Sequence, residues 1–270
     1  MGKYDGWLFA SDVDGTLLSN PEYTLSNGNR EAITEFIREG GKFTFASGRC
    51  LYSIMPLYRE LKTNAPLVLG NGALIYDPTT DTFPYVSEID KDLCTAIYNY
   101  TMSRFDGLGF EILSDRVIYF IDDNSSIQHH IHSESIPYPF VKLEEATGPW
   151  VKLAFGVVPK DMETVSKIVR SSPYAKHFNV AQGGEWYLEL SAKTTSKGVA
   201  VLKVAEELGI PTDKIITLGD NENDLSMFSI TPHSFAVNNA SDEIKKAVSH
   251  VVGVGGLRGQ VVRDVLNILF

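Results

Sequence analysis

Cysteine is almost missing from this chain: Cys50 and Cys94 are the two in 270 residues. They are too few and too far apart for a disulfide framework or a zinc knuckle, so both are expected to be free thiols in a reducing compartment. Long hydrophobic runs are missing as well. No segment approaches the roughly 18 apolar residues of a membrane-spanning helix, and Met1-Gly2-Lys3-Tyr4-Asp5-Gly6 holds no apolar signal-peptide stretch. The expectation is a cytoplasmic protein with no membrane partner. Positive charge is in short supply, 24 Lys and Arg against 34 Asp and Glu, and the resulting formal charge of −10 disfavours a general nucleic-acid or anionic-membrane binder. There is no internal repeat and no heptad pattern, which leaves a monomer or weak homodimer as the expected state.

The chain does have enough apolar residues, 43 %, for a sizeable core or for two domains of ordinary size. It also has carboxylates in an expensive place. Trp7-Leu8-Phe9-Ala10-Ser11 reads as a buried strand and runs straight into Asp12-Val13-Asp14-Gly15-Thr16-Leu17. Two carboxylates at a strand mouth must be solvated, paired or metal-bound, because burying them bare would cost several kcal/mol each. A second apolar strand, Lys42 to Ala46, ends in Ser47-Gly48-Arg49, and a third, Leu67 to Leu69, ends in Gly70-Asn71-Gly72. Further on, Ile215 to Leu218 ends in Gly219-Asp220-Asn221-Glu222-Asn223-Asp224, and Lys197 opens an amphipathic helical pattern. A lysine at a helix start is disfavoured by the dipole by roughly 0.3–1 kcal/mol, so its placement points to use.

Apolar periodicity predicts helices at about 29–39, 51–62, 91–104, 160–171 and 198–208. Residues 7–47 read as a βαβ unit with parallel pairing. From about residue 85 the texture changes to alternating runs such as Arg116 to Ile121 and Val151 to Val158, the mark of an α+β insertion with an antiparallel sheet. The expected division is a discontinuous core, 1–84 plus 187–270, around an insertion at 85–186. Gln128-His129-His130-Ile131-His132 reads as a solvated helix face, since three histidines at this spacing do not converge on one metal.

Taken in order, the Asp-Val-Asp-Gly-Thr-Leu string, Ser47 after its strand, Lys197 at its helix start and the Gly-Asp-Asn-Glu-Asn-Asp string resemble the haloacid dehalogenase superfamily phosphatases of the Cof type (subfamily IIB). The resemblance covers nearly the whole chain. It implies an α/β fold, a Rossmann-like parallel-sheet core with an inserted α+β cap domain, and a Mg²⁺-dependent phosphatase acting on small phosphorylated metabolites, sugar phosphates above all. Asp12 would be the nucleophile that forms an aspartyl phosphate, and Asp14 the acid and base, its backbone carbonyl also serving the metal. Ser47 and Gly48 would meet phosphoryl oxygens, as would the amide of Asn223, and Lys197 would hold Asp12 and the phosphoryl group. Asp220 would bind Mg²⁺ directly, with Asp224 behind it or acting through water. Arg49 would grip a second anionic group or tie loops together, and Asn71-Gly72 matches a recurrent element near the pocket. Ser191 to Ser196 lacks the proline-glycine character common in the family, though the spacing to Lys197 survives. Two alternatives share these residues: a phosphomutase or phosphotransferase that passes the phosphoryl group to a hydroxyl, and a sensor that binds a phosphate ligand without turnover.

Overall fold

The computed structural model describes residues 2–18, 24–134, 136–137, 140–253 and 259–270. In chain order the elements are β1 (Leu8–Ser11), α1 (Asn27–Arg38), β2 (Lys42–Phe45), α2 (Leu51–Leu61), β3 (Leu67–Leu69), β4 (Leu74–Asp77) and β5 (Thr82–Val86). There follow α3 (Lys91–Met102), β6 (Gly109–Leu113), β7 (Ile118–Asp122), α4 (Ser125–Glu134), β8 (Lys152–Gly156), α5 (Met162–Ser171), β9 (Phe178–Gly183) and β10 (Tyr187–Ala192). The last stretch contains α6 (Lys197–Glu207), β11 (Ile215–Gly219), α7 (Leu225–Phe228), β12 (His233–Val237), α8 (Asp242–Lys246), β13 (His250–Val252) and α9 (Val261–Leu269).

One sheet has the order β13-β12-β11-β1-β2, and all its pairings are parallel. Every residue of β1 and β11 is buried, which is why these strands read as unbroken apolar runs and not as alternating ones. From β1 the chain moves on to β2 at one side, and from β11 it moves to β12 and β13 at the other. The point where the strand order reverses therefore lies between β1 and β11, and the carboxyl ends of such a pair splay their connections apart and leave a crevice. Asp12 directly follows β1, and Asp220 directly follows β11. Helix α1 shows how local sequence sets these elements: the Ser26 side chain caps it by accepting from Asn29 N at 3.2 Å, Ala32, Ile33 and Phe36 bury one face, and Gly40 ends the turn at φ 94°.

Contacts divide the chain into two units, one made of 1–48, 56–84 and 196–270, the other of 49–55 and 85–195. The second unit is built on an antiparallel sheet of order β7-β6-β8-β10-β9. Its apolar face presents Phe110, Ile112, Leu153, Phe155, Leu188 and Leu190 to α3 and α5, which bury Cys94, Ile97, Val165 and Val169 against it. The expected junction at 187 differs from this arrangement. Strand β10 pairs with β8 and β9 inside the antiparallel sheet, and the chain leaves that unit only after Thr195. The reason is legible in the strand: Tyr187-Leu188-Glu189-Leu190 alternates between half-buried and fully buried residues, the signature of a sheet with one open face.

The histidine run also resolves element by element. His130 is not solvated: its Nδ1 lies 2.8 Å from Oε2 of buried Glu111, and its side chain is 16 % exposed. His129 instead stacks on Trp186 with centroids 5.5 Å apart, and His132 Nδ1 meets the carbonyl of Gln128. Their rings point to different partners. Among the described residues, no helix is long and apolar enough to cross a membrane.

Candidate active site

Three strand and helix ends of the first unit converge on Lys197. Its ammonium is fully buried and donates to Asp12 Oδ1 at 2.5 Å and to Asp224 Oδ1 at 2.6 Å. Lys197 is the first residue of α6, and the helix is capped one residue earlier by the Ser196 side chain, which accepts from Val199 N. The two carboxylates outweigh both burial and the helix dipole. Desolvation alone would lower the Lys197 pKa, but the charges of Asp12 and Asp224 raise it above its ordinary value and keep the ammonium protonated.

Asp224 has both of its oxygens engaged. Oδ1 takes the lysine, while Oδ2 accepts Asp220 N at 2.9 Å and Asn221 N at 3.1 Å. It thereby shapes the turn that aims Asp220. The Asp220 carboxylate accepts from Thr16 Oγ1 at 2.8 Å, a link between the β1 and β11 ends that the sequence did not single out. The one signal for it is that Thr16 lies two residues beyond Asp14 in the same acidic turn. Gly15 makes this approach possible: it holds φ 80°, and a Cβ there would fall 2.3 Å from Asp220 Oδ2.

Asp12, Asp220 and Asp224 each present a carboxylate oxygen within 4.8 Å of the others. Burial raises the Asp12 pKa well above the usual carboxylate range; Lys197 opposes this and the charges of Asp224 and Asp220 add to it. Burial also pushes Asp220 up to about 6, against the hydrogen bond from Thr16. Three carboxylates facing one ammonium leave two negative charges uncompensated, which is the charge of one divalent cation. The donors are hard oxygens, as Mg²⁺ prefers, so the residues present fit such an ion. Asp224 already accepts from the lysine and two amides, so Asp12 and Asp220 would be the side chains to face such an ion most directly.

The remaining expected residues fall as follows. The Asp14 side chain is exposed and outside the three-carboxylate cluster, on a turn closed by the bond from Gly15 N to Leu18 O at 2.8 Å. Buried Ser47 donates its backbone N–H to Val68 O at 2.9 Å, and Gly48 follows it within the same unit. Asn223 is exposed, and its Nδ2 donates to Asn71 Oδ1 at 3.0 Å. Arg49 groups with the other unit, where Nη1 donates to Ser53 O at 3.1 Å.

The comparisons with known proteins concern the family and the fold of the chain. A model of the haloacid dehalogenase-like hydrolases matches residues 9–255. The 5-amino-6-(5-phospho-D-ribitylamino)uracil phosphatase YwtE of Bacillus subtilis is 27 % identical, the alignment covering 90 % of this chain and 91 % of that protein. Phosphatase YwpJ of the same organism is also 27 % identical, covering 90 % and 93 %. Among solved structures, a haloacid dehalogenase-like hydrolase from Bacteroides thetaiotaomicron superposes with a TM-score of 0.87 over 99 % of this chain and 100 % of that one, at 22 % identity. A subclass IIB sugar phosphatase of the superfamily superposes at 0.81 over 92 % and 94 %, at 19 % identity, and so shares the fold. The chain belongs to the haloacid dehalogenase-like hydrolases. Both Bacillus subtilis relatives are phosphatases by name.

Proposed function

We propose that the protein hydrolyses small phosphorylated metabolites, sugar phosphates first among them, through an aspartyl phosphate on Asp12, with Mg²⁺ as cofactor. The observation that carries this reading is the buried chain from Asp12 through Lys197 to Asp224 at the crevice between β1 and β11. A carboxylate fixed there by an ammonium needs no base before it attacks.

In the first step an Asp12 oxygen attacks phosphorus, the bond to the leaving oxygen breaks, and Asp14 gives that oxygen its proton. In the second step water attacks the same phosphorus, Asp14 takes back a proton, and the Asp12 carboxylate is released with inorganic phosphate. Asp14 is suited to both tasks because its side chain is exposed and lies outside the carboxylate cluster. Ser47 and Gly48 offer donors to phosphoryl oxygens at the end of β2, Asn223 adds a carboxamide from the β11 side, and Lys197 neutralises charge between them. Mg²⁺, held by Asp12, Asp220 and the backbone carbonyl of Asp14, would supply electrostatic stabilisation of the phosphoryl oxygens. YwtE and YwpJ, whose names give them phosphatase activity, support the reaction class.

The test is inorganic phosphate release from sugar phosphates, other phosphomonoesters and nucleotides, with Mg²⁺ or EDTA, for wild type beside Asp12→Asn. Metal-dependent release that the substitution abolishes is the expected result. Release that persists in Asp12→Asn would remove the covalent mechanism, and silence across the panel would remove the hydrolase reading of these substrates.

A further inference from the structure

The turn Gly70-Asn71-Gly72, directly after β3, touches the other segments of the site. Its three residues have φ of 56°, 58° and 96° in succession. Glycine reaches that left-handed region freely and asparagine more readily than other residues with a Cβ, so the turn admits Asn71, and the use of its amide is read from its contacts. Asn71 N donates to Ser47 O at 3.0 Å, and Asn71 Oδ1 accepts from Asn223 Nδ2 at 3.0 Å. The same carboxamide lies over Gly48, where an added Cβ would fall 3.0 Å from Asn71 Oδ1. Gly72 passes against the start of α6 so closely that a Cβ there would meet Ser196 O at 2.1 Å and Lys197 N at 2.9 Å.

We propose that Asn71 is a positioning residue of the phosphate site, fixing the Asn223 carboxamide from one side while its backbone fixes the carboxyl end of β2. This rests on the reading above that Asn223 meets the phosphoryl group. An amide can present either its oxygen or its nitrogen to a ligand, and an oxygen would repel phosphate. By accepting one Nδ2 hydrogen, Asn71 Oδ1 sets the orientation in which nitrogen faces the neighbouring loop, and the second N–H of that nitrogen is then the donor for an anion. The carboxamide of Asn71 acts through Asn223 and not on the substrate.

The experiment measures inorganic phosphate binding by titration calorimetry in Mg²⁺, together with KM and kcat for p-nitrophenyl phosphate, for wild type, Asn71→Gly, Asn223→Ala and the double variant. Glycine keeps the backbone geometry and deletes only the carboxamide, so Asn71→Gly is expected to melt at or above wild type. Loss of one neutral hydrogen bond is expected to weaken phosphate binding about five-fold in Asn71→Gly, with KM rising more than kcat falls. The double variant is expected to match Asn223→Ala alone. Wild-type phosphate affinity in Asn71→Gly overturns the proposal, as does a double variant whose losses multiply. Wild-type affinity in Asn223→Ala overturns instead the reading of Asn223 as a phosphate contact, and no phosphate binding by the wild type overturns the phosphate site itself.

Discussion

At the scale of single residues, Lys197 combines two demands that usually conflict. A fully buried lysine is among the least favourable residues to place in a protein interior, and at the first position of a helix it also opposes the dipole. Asp12 and Asp224 make the position tolerable, and in turn the lysine makes them tolerable. Removing it would therefore do more than remove a contact, because two buried carboxylates would lose their partner together. Lys197→Met is expected to lower stability by roughly 3–5 kcal/mol, the cost of breaking a buried pair by deleting one member. Urea unfolding of the metal-free protein measures it; a loss below about 1 kcal/mol would mean that Asp12 and Asp224 take up protons and relax without cost.

Secondary structure elements account for how the site is held. The first strand, the Ser47 strand end and the Asp220 strand end were legible in the sequence because each is a buried apolar run broken by polar residues, a pattern that marks the carboxyl end of a strand in a parallel sheet. Strands β6 and β9 were not, nor was the placement of β10, because Glu111 interrupts the apolar run of β6, half of the residues of β9 are polar or glycine, and β6 and β10 each join β8 as well as the neighbouring strand of their own hairpin. Thr16 was not readable as a site member, and Asn71 was readable only through the resemblance of its Asn-Gly pair to a recurrent element near the pocket. Their importance lies in hydrogen bonds spanning 204 and 152 residues of chain, which no local spacing encodes. The same is true of the closing helix. Helix α9 has no cap of its own at Gln260, yet Val262 N donates to Asn29 Oδ1 of α1 at 3.2 Å, and Arg263 reaches Glu35 of α1 at 2.8 Å.

That last pair gives a pH-dependent prediction. The hydrogen bond from Arg263 lowers the Glu35 pKa below its ordinary value, against a smaller opposing effect of burial. A depressed carboxylate contributes stability above the pKa of the unfolded chain, and the contribution disappears as pH falls through the folded value. Both side chains are about one third exposed, so solvent screens the pair and the contribution is about 0.2–1 kcal/mol. Glu35→Gln is expected to be less stable than wild type by that amount at neutral pH and to match it once Glu35 is protonated. Urea midpoints at pH about 7 and about 3 measure the two limits; a difference that survives in acid would assign the effect to packing.

At the scale of the whole molecule, the first unit is assembled from three separate stretches of chain, and the carboxylates that close its crevice repel one another. Function and stability thus oppose each other at one place, and a divalent cation bound there would reconcile them. A ligand that binds the folded state alone stabilises it by RT ln(1 + [L]/Kd), about 2.7 kcal/mol at a hundred-fold excess over Kd. For a chain of this size each kcal/mol moves the melting temperature by about 2–4 °C, so saturating Mg²⁺ is expected to raise it by about 5–10 °C. Asp220→Asn separates the two sides of the opposition. It removes one of the repelling charges while keeping an oxygen for Thr16, so without metal it is expected to melt at or above wild type, and with metal it is expected to gain little. Calorimetric melts of both proteins with Mg²⁺ and with EDTA decide it. A full Mg²⁺ shift in Asp220→Asn would place the ion elsewhere, and a metal-free variant less stable than wild type would mean that the Asp220 charge helps to hold the crevice together even with its compensating cation gone.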